Sequence, residues 1–469
     1  MERVTQPHKV SARTSAPVSP GGPVSLSTVD IAHILVALAA LLLCAHSVGT
    51  LFVRVRQPRA IGEVVGGILL GPTLLGIVSP SAGSWVFPES GAVPIVVAAV
   101  AQLGLLLLMF MTGTEVRTIF HRRARRTITS VFVTGMVLPF LAGIAVLQVI
   151  DQKSLWGPNG NPTSFLLVFA IAMAVTSIPV ISRIMHDLGI LDTDFARVVL
   201  GVAVLEDIVL YVVLAIAVGY AGGTAGSLFG LPAALEIEGG TSADMIYHVL
   251  ATAAFLGICL VVGPRVYRRM GRLKVNLIQR ASPVAYQLMF MILVTIAGLF
   301  VGIQAFFGAF VAGLIVGASA ALSGSESSDA TLAIKGFSLA FFIPIYFAVI
   351  GSTLDLVHGF SPAFFTFFLV VACGIKAVSV YLGARAAGET NASSWNLAIA
   401  MNARGGPGIV VASTAFIAGI IDQPFYAVLI LLAIVTSLLA GSWLERVPRD
   451  RLLVRATNVE QDSERADTT

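Results

Sequence analysis

Apolar runs of about 20 residues recur along this chain, separated by short polar stretches. A run of that length crosses a bilayer as a helix, because hydrocarbon supplies no partner for a backbone that does not satisfy its own polar groups. On this criterion spans begin near Val29, Gln57, Val93, Thr127, Ser164, Phe195, Met245, Val284, Ala305, Gly336, Phe364, Asn396 and Phe425, thirteen in all. The run 284–322 would be about 58 Å long as one helix, so it is divided at Gly302, Ile303 and Gln304 into a tight hairpin. Only 12% of the residues are Asp, Glu, Lys or Arg against 57% apolar. That charge share is about half the usual one and too small to cover a soluble surface. The expected fold class is an all-α polytopic membrane protein of about 13 transmembrane helices. A disordered chain, a coiled coil and an ordinary cytosolic enzyme are excluded.

The first 28 residues are rich in Ser, Pro, Thr and Gly and read as a disordered tail. The first apolar stretch starts too late, and without a clear cleavage site, to be a secretory signal. Cys44, Cys259 and Cys373 lie inside apolar runs with no paired spacing, as small core residues do.

The basic residues fall on one side of this topology. The loops after odd-numbered spans and the C-terminal segment hold 23 of the 29 Lys and Arg residues, from Arg54 and Arg59 through Arg265, Arg268, Arg269 and Arg272 to Arg465. Outside the tail, the opposite side has only Lys153. The positive-inside rule makes the first side cytoplasmic, with the N-terminus outside and the C-terminus in the cytoplasm. The net charge of +4 therefore reflects topology and not nucleic-acid binding.

This accounting leaves two basic residues at membrane depth, Lys376 and Arg404, and one adjacent acid pair, Glu206 and Asp207. Glu63 and Glu115 lie near span ends, where interfacial solvation is expected. An ionisable side chain deep in the bilayer costs at least about 2.5 kcal/mol and is by default a functional candidate. Glu206 and Asp207 sit near the middle of the span 195–219 and, as helical neighbours, point about 100° apart. One can face a water-filled cavity while the other pairs with Lys376, which lies at matching depth.

Two spans are interrupted near their middles. One contains Thr176, Ser177, Ile178 and Pro179; the other contains Asn402, Ala403, Arg404, Gly405, Gly406 and Pro407. They are the fifth and twelfth spans. If spans one to six and eight to thirteen form two repeats, both breaks are fifth in their repeat, and the single span between the repeats inverts one relative to the other. The expected organisation is a tail over 1–28, repeats over about 29–219 and 284–444, a linker helix at about 245–263, and a short cytoplasmic tail over 445–469. Gly/Pro-broken spans at corresponding positions in two halves are the best sequence pointer to a transporter binding site.

With these residues in place, the sequence resembles bacterial monovalent cation:proton antiporters of the second cation:proton antiporter family, which have the sodium/proton exchanger fold. The resemblance covers about 29–444. It is carried by Gln57, Pro58, Gly62, Glu63, Gly71 and Pro72; by Leu103, Gly104, Met109, Phe110 and Gly113; and by Thr176 to Pro179. Glu206 with Asp207, Phe341 through Phe347 with Gly351, and Asn402 through Gly405 complete it. The family implies a dimerising scaffold domain, a core domain with two crossed broken helices, and an elevator-like movement of the core. Asp207 matches the family's essential ion-binding aspartate, and Lys376 matches the lysine that pairs with the preceding acid. That position, often Asp in electrogenic members, is Glu206 in this sequence, one methylene longer. Thr176 and the unwound backbone beside it match the broken-helix part of the cation site. Arg404 either offsets half-helix carbonyl ends or gates, or serves in structural pairing.

The implied chemistry is competition. A buried carboxylate beside a second one holds a proton or a dehydrated Na+ or K+, not readily both. No cofactor is implied, and the partners are monovalent cations, protons, the lipid bilayer and a second copy in a homodimer of the cytoplasmic membrane. A proton-coupled exporter of a small organic solute and a gated cation channel remain as alternatives. His121 and His186 read as solvated loop residues or pH sensors. The basic cluster over 117–126 reads as a topology signal or an anionic-lipid contact. The 25 residues after Leu444 are too few for a nucleotide-binding regulatory domain.

Overall fold

The computed structural model describes residues 26–447 apart from 56, 89, 116–124, 178–180, 182–184, 186–189, 191–192, 222–229, 236–241, 274–275, 323–328 and 358. Pro179, His121 and His186 lie outside the described residues, as does most of the basic cluster.

The main helices are α1 (Thr28–Arg54), α2 (Arg59–Leu70), α3 (Ala92–Glu115), α4 (Arg125–Val146), α5 (Pro162–Ala174), α6 (Asp194–Ala221) and α7 (Ser242–Arg272). They continue as α8 (Pro283–Phe300), α9 (Ala305–Leu322), α10 (Asp329–Ser352), α11 (Pro362–Ala387), α12 (Asn391–Ala400), α13 (Gly405–Ile417) and α14 (Gln423–Leu444). Their starts are written in local chemistry. Asn161, Ser282 and Ser361 each cap a helix through the side-chain oxygen and are followed by Pro at the first helical position, where no N–H is needed. Thr390 and Asp422 cap α12 and α14 in the same way. Among the described residues ten helices are long and apolar enough to cross a membrane. The ten include the second span taken over Arg59–Val78, and the expected count of thirteen exceeds them by the shorter apolar helices over Pro162–Ala174 and Ala305–Ala320 and the broken pair α12–α13. The run 284–322 turns over Val301 to Gln304, with Gly302 at φ +81°.

The helices pack in two groups. One contains α1, α2, α3, α8, α9 and α10; the other contains α4, α5, α6, α11, α12, α13 and α14. Helix α7 touches both, through α6 and α9. In the first group the second span packs on the tenth and the third on the ninth, pairs that an exchange of the two expected repeats would interchange. Both contacts are backbone on backbone through glycine. A Cβ on Gly351 of α10 would stand 2.0 Å from the Val64 carbonyl oxygen of α2, and one on Gly313 of α9 would stand 2.1 Å from that of Phe110 on α3. Such close approach is how membrane helices gain packing energy without a hydrophobic drive between them. In the second group an antiparallel bridge between Trp156 and Ile421, with Gly157 N–H donating to Ile420 O (3.0 Å) and Asp422 N–H to Leu155 O (3.0 Å), ties the chain before α5 to the chain before α14.

Glu63 departs from the expectation of interfacial solvation. It is 4% exposed and accepts from Arg59 Nε at 3.1 Å. Arg59 also donates to His46 Nδ1, so the imidazole proton sits on Nε2, which donates to Ala340 O at 2.9 Å. Ala340 belongs to a π-helical turn, Ser338–Phe342, inside α10. A carboxylate near a span end is thus drawn inward, because an arginine one turn earlier and a histidine on α1 complete its charge network.

Gly351→Ala and Gly313→Ala should each destabilise the protein by about 1–3 kcal/mol, since the added methyl meets backbone that cannot rotate away. The readout is the thermal unfolding midpoint of the detergent-solubilised full chain; unchanged midpoints would contradict the close contacts.

Candidate functional site

The fifth span breaks after Ala174. Val175 N–H still donates to Ile171 O at 3.0 Å, and the three carbonyls that follow have no intrahelical partner. Each has another donor. Arg404 donates from Nε to Ala172 O (3.4 Å) and from Nη2 to Met173 O (3.3 Å). Lys376 Nζ donates to Ala174 O at 2.6 Å. Two buried cations therefore close the negative end of a half-helix, the position where positive charge is most favourable.

The twelfth span is satisfied in the same manner. Asn402 Nδ2 donates to Ala398 O (3.0 Å), and Thr176 Oγ1 donates to Met401 O (2.7 Å). Ser177 N–H donates to Ala403 O at 2.7 Å, so the two breaks touch each other directly. At the start of α13 the N–H groups of Arg404 and Gly405 donate to the Thr436 and Ser437 hydroxyls of α14, at 3.3 and 3.1 Å. Gly405 has φ +28°, in the region that favours glycine.

Lys376, 0% exposed, has three N–H protons and three acceptors. Besides Ala174 O these are Glu206 Oε1 at 2.7 Å and Gly135 O at 2.9 Å. Gly135 O is available because Pro139, four residues on in α4, has no N–H to offer it. The absent side chain at Gly135 also makes room, since a Cβ there would lie 3.2 Å from Glu206 Oε1. Lys376 is thus an ion-pair partner and a backbone cap together, which joins α4, α5, α6 and α11 at one atom.

Arg404 does not pair with the acids. Its remaining donors go to Ala372 O (3.1 Å), to Asn402 O and to Asn402 Oδ1 (3.2 Å each). Of the two roles the sequence left open, the geometry is that of a cap on half-helix carbonyls. The four buried charges are accordingly one ion pair, one backbone-capping guanidinium and one further carboxylate.

That carboxylate is Asp207. It is 0% exposed and neither of its oxygens has a protein hydrogen-bond partner. Glu206 Oε2, Ser177 Oγ and the hydroxyl of Tyr211 are also buried without partners. Tyr211 stands one helical turn beyond Asp207, and its ring meets Phe310 edge-on at 4.9 Å. Thr176 has committed its proton to Met401 and keeps its oxygen lone pairs. The arrangement is therefore a set of oxygen acceptors with two carboxylates, suited to a proton or a hard monovalent cation. Among the described residues no group of three or more His, Cys, Asp and Glu is placed to hold a metal ion.

Sequence reasoning did not single out Gly135, Pro139, Tyr211, Thr436 or Ser437. A glycine four residues before a proline inside a span was the available signal for the first two. The others carry no local mark. Arg404→Lys should destabilise the protein by about 2–4 kcal/mol, because one ammonium cannot reach the carbonyls of α5, α11 and Asn402 together. The check is thermal unfolding of the full chain in detergent; an unchanged midpoint would remove the capping role.

Residues 37–449 match the family described as sodium/hydrogen exchanger, transmembrane. The Na(+)/H(+) antiporter NhaS4 of Synechocystis is 29% identical over 408 residues, which cover 85% of this chain and 92% of that protein. The Na(+)/H(+)-K(+) antiporter GerN of Bacillus cereus is 23% identical over 413 residues, covering 87% and 94%. Cation/H(+) antiporter 20 of Arabidopsis thaliana is 28% identical over 416 residues, 86% of this chain, but the match spans only 47% of that longer protein. The solved sodium proton antiporter MjNhaP1 from Methanocaldococcus jannaschii shares the fold, with a TM-score of 0.57 at 14% identity over 88% of this chain and 97% of that one. With a match that runs nearly end to end through the helical part, the chain belongs to the sodium/hydrogen exchanger family.

Proposed function

We propose that this chain is a secondary transporter that exchanges a monovalent cation, Na+ or K+, for protons. The observation that carries the reading is Asp207: a fully buried carboxylate with no protein partner, beside the crossing of two broken helices and next to a second carboxylate already paired with lysine. A bare charge is disfavoured in such surroundings. The group is best satisfied by a proton or by a cation that takes oxygen ligands from Asp207, Glu206, Thr176 and Ser177, and the two compete. Two relatives of nearly the same length are named as antiporters of these ions, which supports the same assignment.

In this reading the group containing α4, α5, α6, α11, α12, α13 and α14 moves as a body against the other, elevator-like, and carries the site between the two sides of the cytoplasmic membrane. The basic asymmetry supports a cytoplasmic C-terminus. The chain works as a homodimer through the group that does not move. When a cation engages Glu206 and Asp207, Lys376 loses its anionic partner and releases a proton, which makes exchange electrogenic.

In proteoliposomes holding the full chain, Asp207→Asn should abolish cation-dependent proton movement while leaving the unfolding midpoint near that of the parent. Retained exchange would sink the assignment. Sodium, potassium and lithium supplied in turn identify the ion, while cation flux without proton movement would mark a channel. Lys376→Gln should cost about 3–5 kcal/mol of stability by stranding Glu206, and the double variant with Glu206→Gln should recover part of that. The single variant should also lose the voltage dependence of transport; a voltage response equal to the parent's would remove Lys376 from coupling.

A further inference from the structure

The C-terminal end of α7 carries Arg265, Arg268, Arg269 and Arg272, whose spacing puts all four on one helix face. With Leu273 they line a cleft of about 320 Å³. Arg265 donates to Val261 O and Arg268 to Pro264 O at 3.4 Å, so two of the guanidiniums are anchored on their own helix. Among the described residues none of the four is ion-paired with a carboxylate. Like charges at such spacing repel one another, and the cluster therefore calls for an anion from outside the chain.

The same face continues toward the middle of α7 as Val262, Val261 and Ile258, which are 47%, 63% and 63% exposed. Only 11% of the apolar span of α7 is buried against other helices. We propose that this face binds one anionic phospholipid, its phosphate in the arginine cleft and its acyl chains along Val262, Val261 and Ile258. Arginine suits the headgroup because its planar fork meets phosphate oxygens in pairs. The uncovered apolar flank that begins one turn above the cleft favours a lipid over a free phosphate. A second copy of the chain is disfavoured on this face, since a two-fold contact would set four guanidiniums against four. Helix α7 packs on α6, which bears Glu206 and Asp207, and on α9 of the other helix group. A lipid held there would position a helix that packs on both groups, whatever the transported ion.

The test is native mass spectrometry of the purified full chain after exchange into micelles containing equal phosphatidylglycerol and phosphatidylcholine. Since clustered basic side chains near a membrane surface attract anionic lipid, the parent should retain phosphatidylglycerol over phosphatidylcholine by about tenfold or more. The R265Q/R268Q/R269Q/R272Q variant should fall to within about twofold, while Arg54→Gln, an exposed arginine at the end of α1, should match the parent. Should the quadruple variant not fold, the pairs R265Q/R269Q and R268Q/R272Q should each lower the preference by about threefold. An unchanged preference in the arginine variants, or an equal loss in Arg54→Gln, overturns the proposal. So does displacement of the lipid by inorganic phosphate at about ten millimolar, which would mark a free-anion site.

Discussion

The structure depends on the donors that close the break in the fifth span. A helix interrupted inside a bilayer exposes carbonyls that no water reaches, and each unsatisfied group costs several kcal/mol. The chain meets that demand with Lys376 and Arg404, which between them take the carbonyls of Ala172, Met173 and Ala174. Charged donors do this better than neutral ones, and at a helix C-terminus they also oppose the half-helix dipole. Burying two cations is in turn tolerable only because their protons are all used: Lys376 on three acceptors, Arg404 on carbonyls of two helices and on Asn402.

One consequence is an unequal pair of adjacent acids. Helical geometry turns Glu206 toward Lys376 and Asp207 away from it, so the ammonium is consumed before it reaches the second carboxylate. Pro139 contributes to this at a distance, since its missing N–H frees the Gly135 carbonyl that takes the third lysine proton. The longer side chain of Glu206 reaches that lysine at 2.7 Å, so the extra methylene is accommodated in the pair. Asp207 is left as a buried carboxylate without a protein partner, while the hydroxyls of Thr176, Thr436 and Ser437 are occupied in holding the two breaks.

A second constraint is helix packing without hydrophobic drive. The contacts of α2 with α10 and of α3 with α9 are close enough that a methyl group on Gly351 or Gly313 would meet backbone oxygen. These contacts give one helix group a rigid frame, in contrast to α7, whose outer face is apolar, uncovered and basic at one end. The frame and the crossing belong to different helix groups.

Much was legible in the sequence because the bilayer makes local rules strict. Apolar run length marked the spans, and breaks at residues 176–179 and 402–407 marked the crossing. Glu206, Asp207 and Lys376 stood out because charge at membrane depth is rare, and depth alone paired the lysine with an acid. What the sequence left undecided was direction and company. It assigned Glu63 to a solvated span end, and only the fold shows it buried against Arg59, because His46 comes from another helix. It left Arg404 between capping or gating and structural pairing, and only the fold brings its guanidinium onto carbonyls of Ala172, Met173 and Ala372, which belong to segments far apart in the chain. Composition, periodicity and charge depth are properties of single segments and can be read along the chain. Which acceptor each buried donor meets depends on how segments cross, and that is decided by packing in three dimensions.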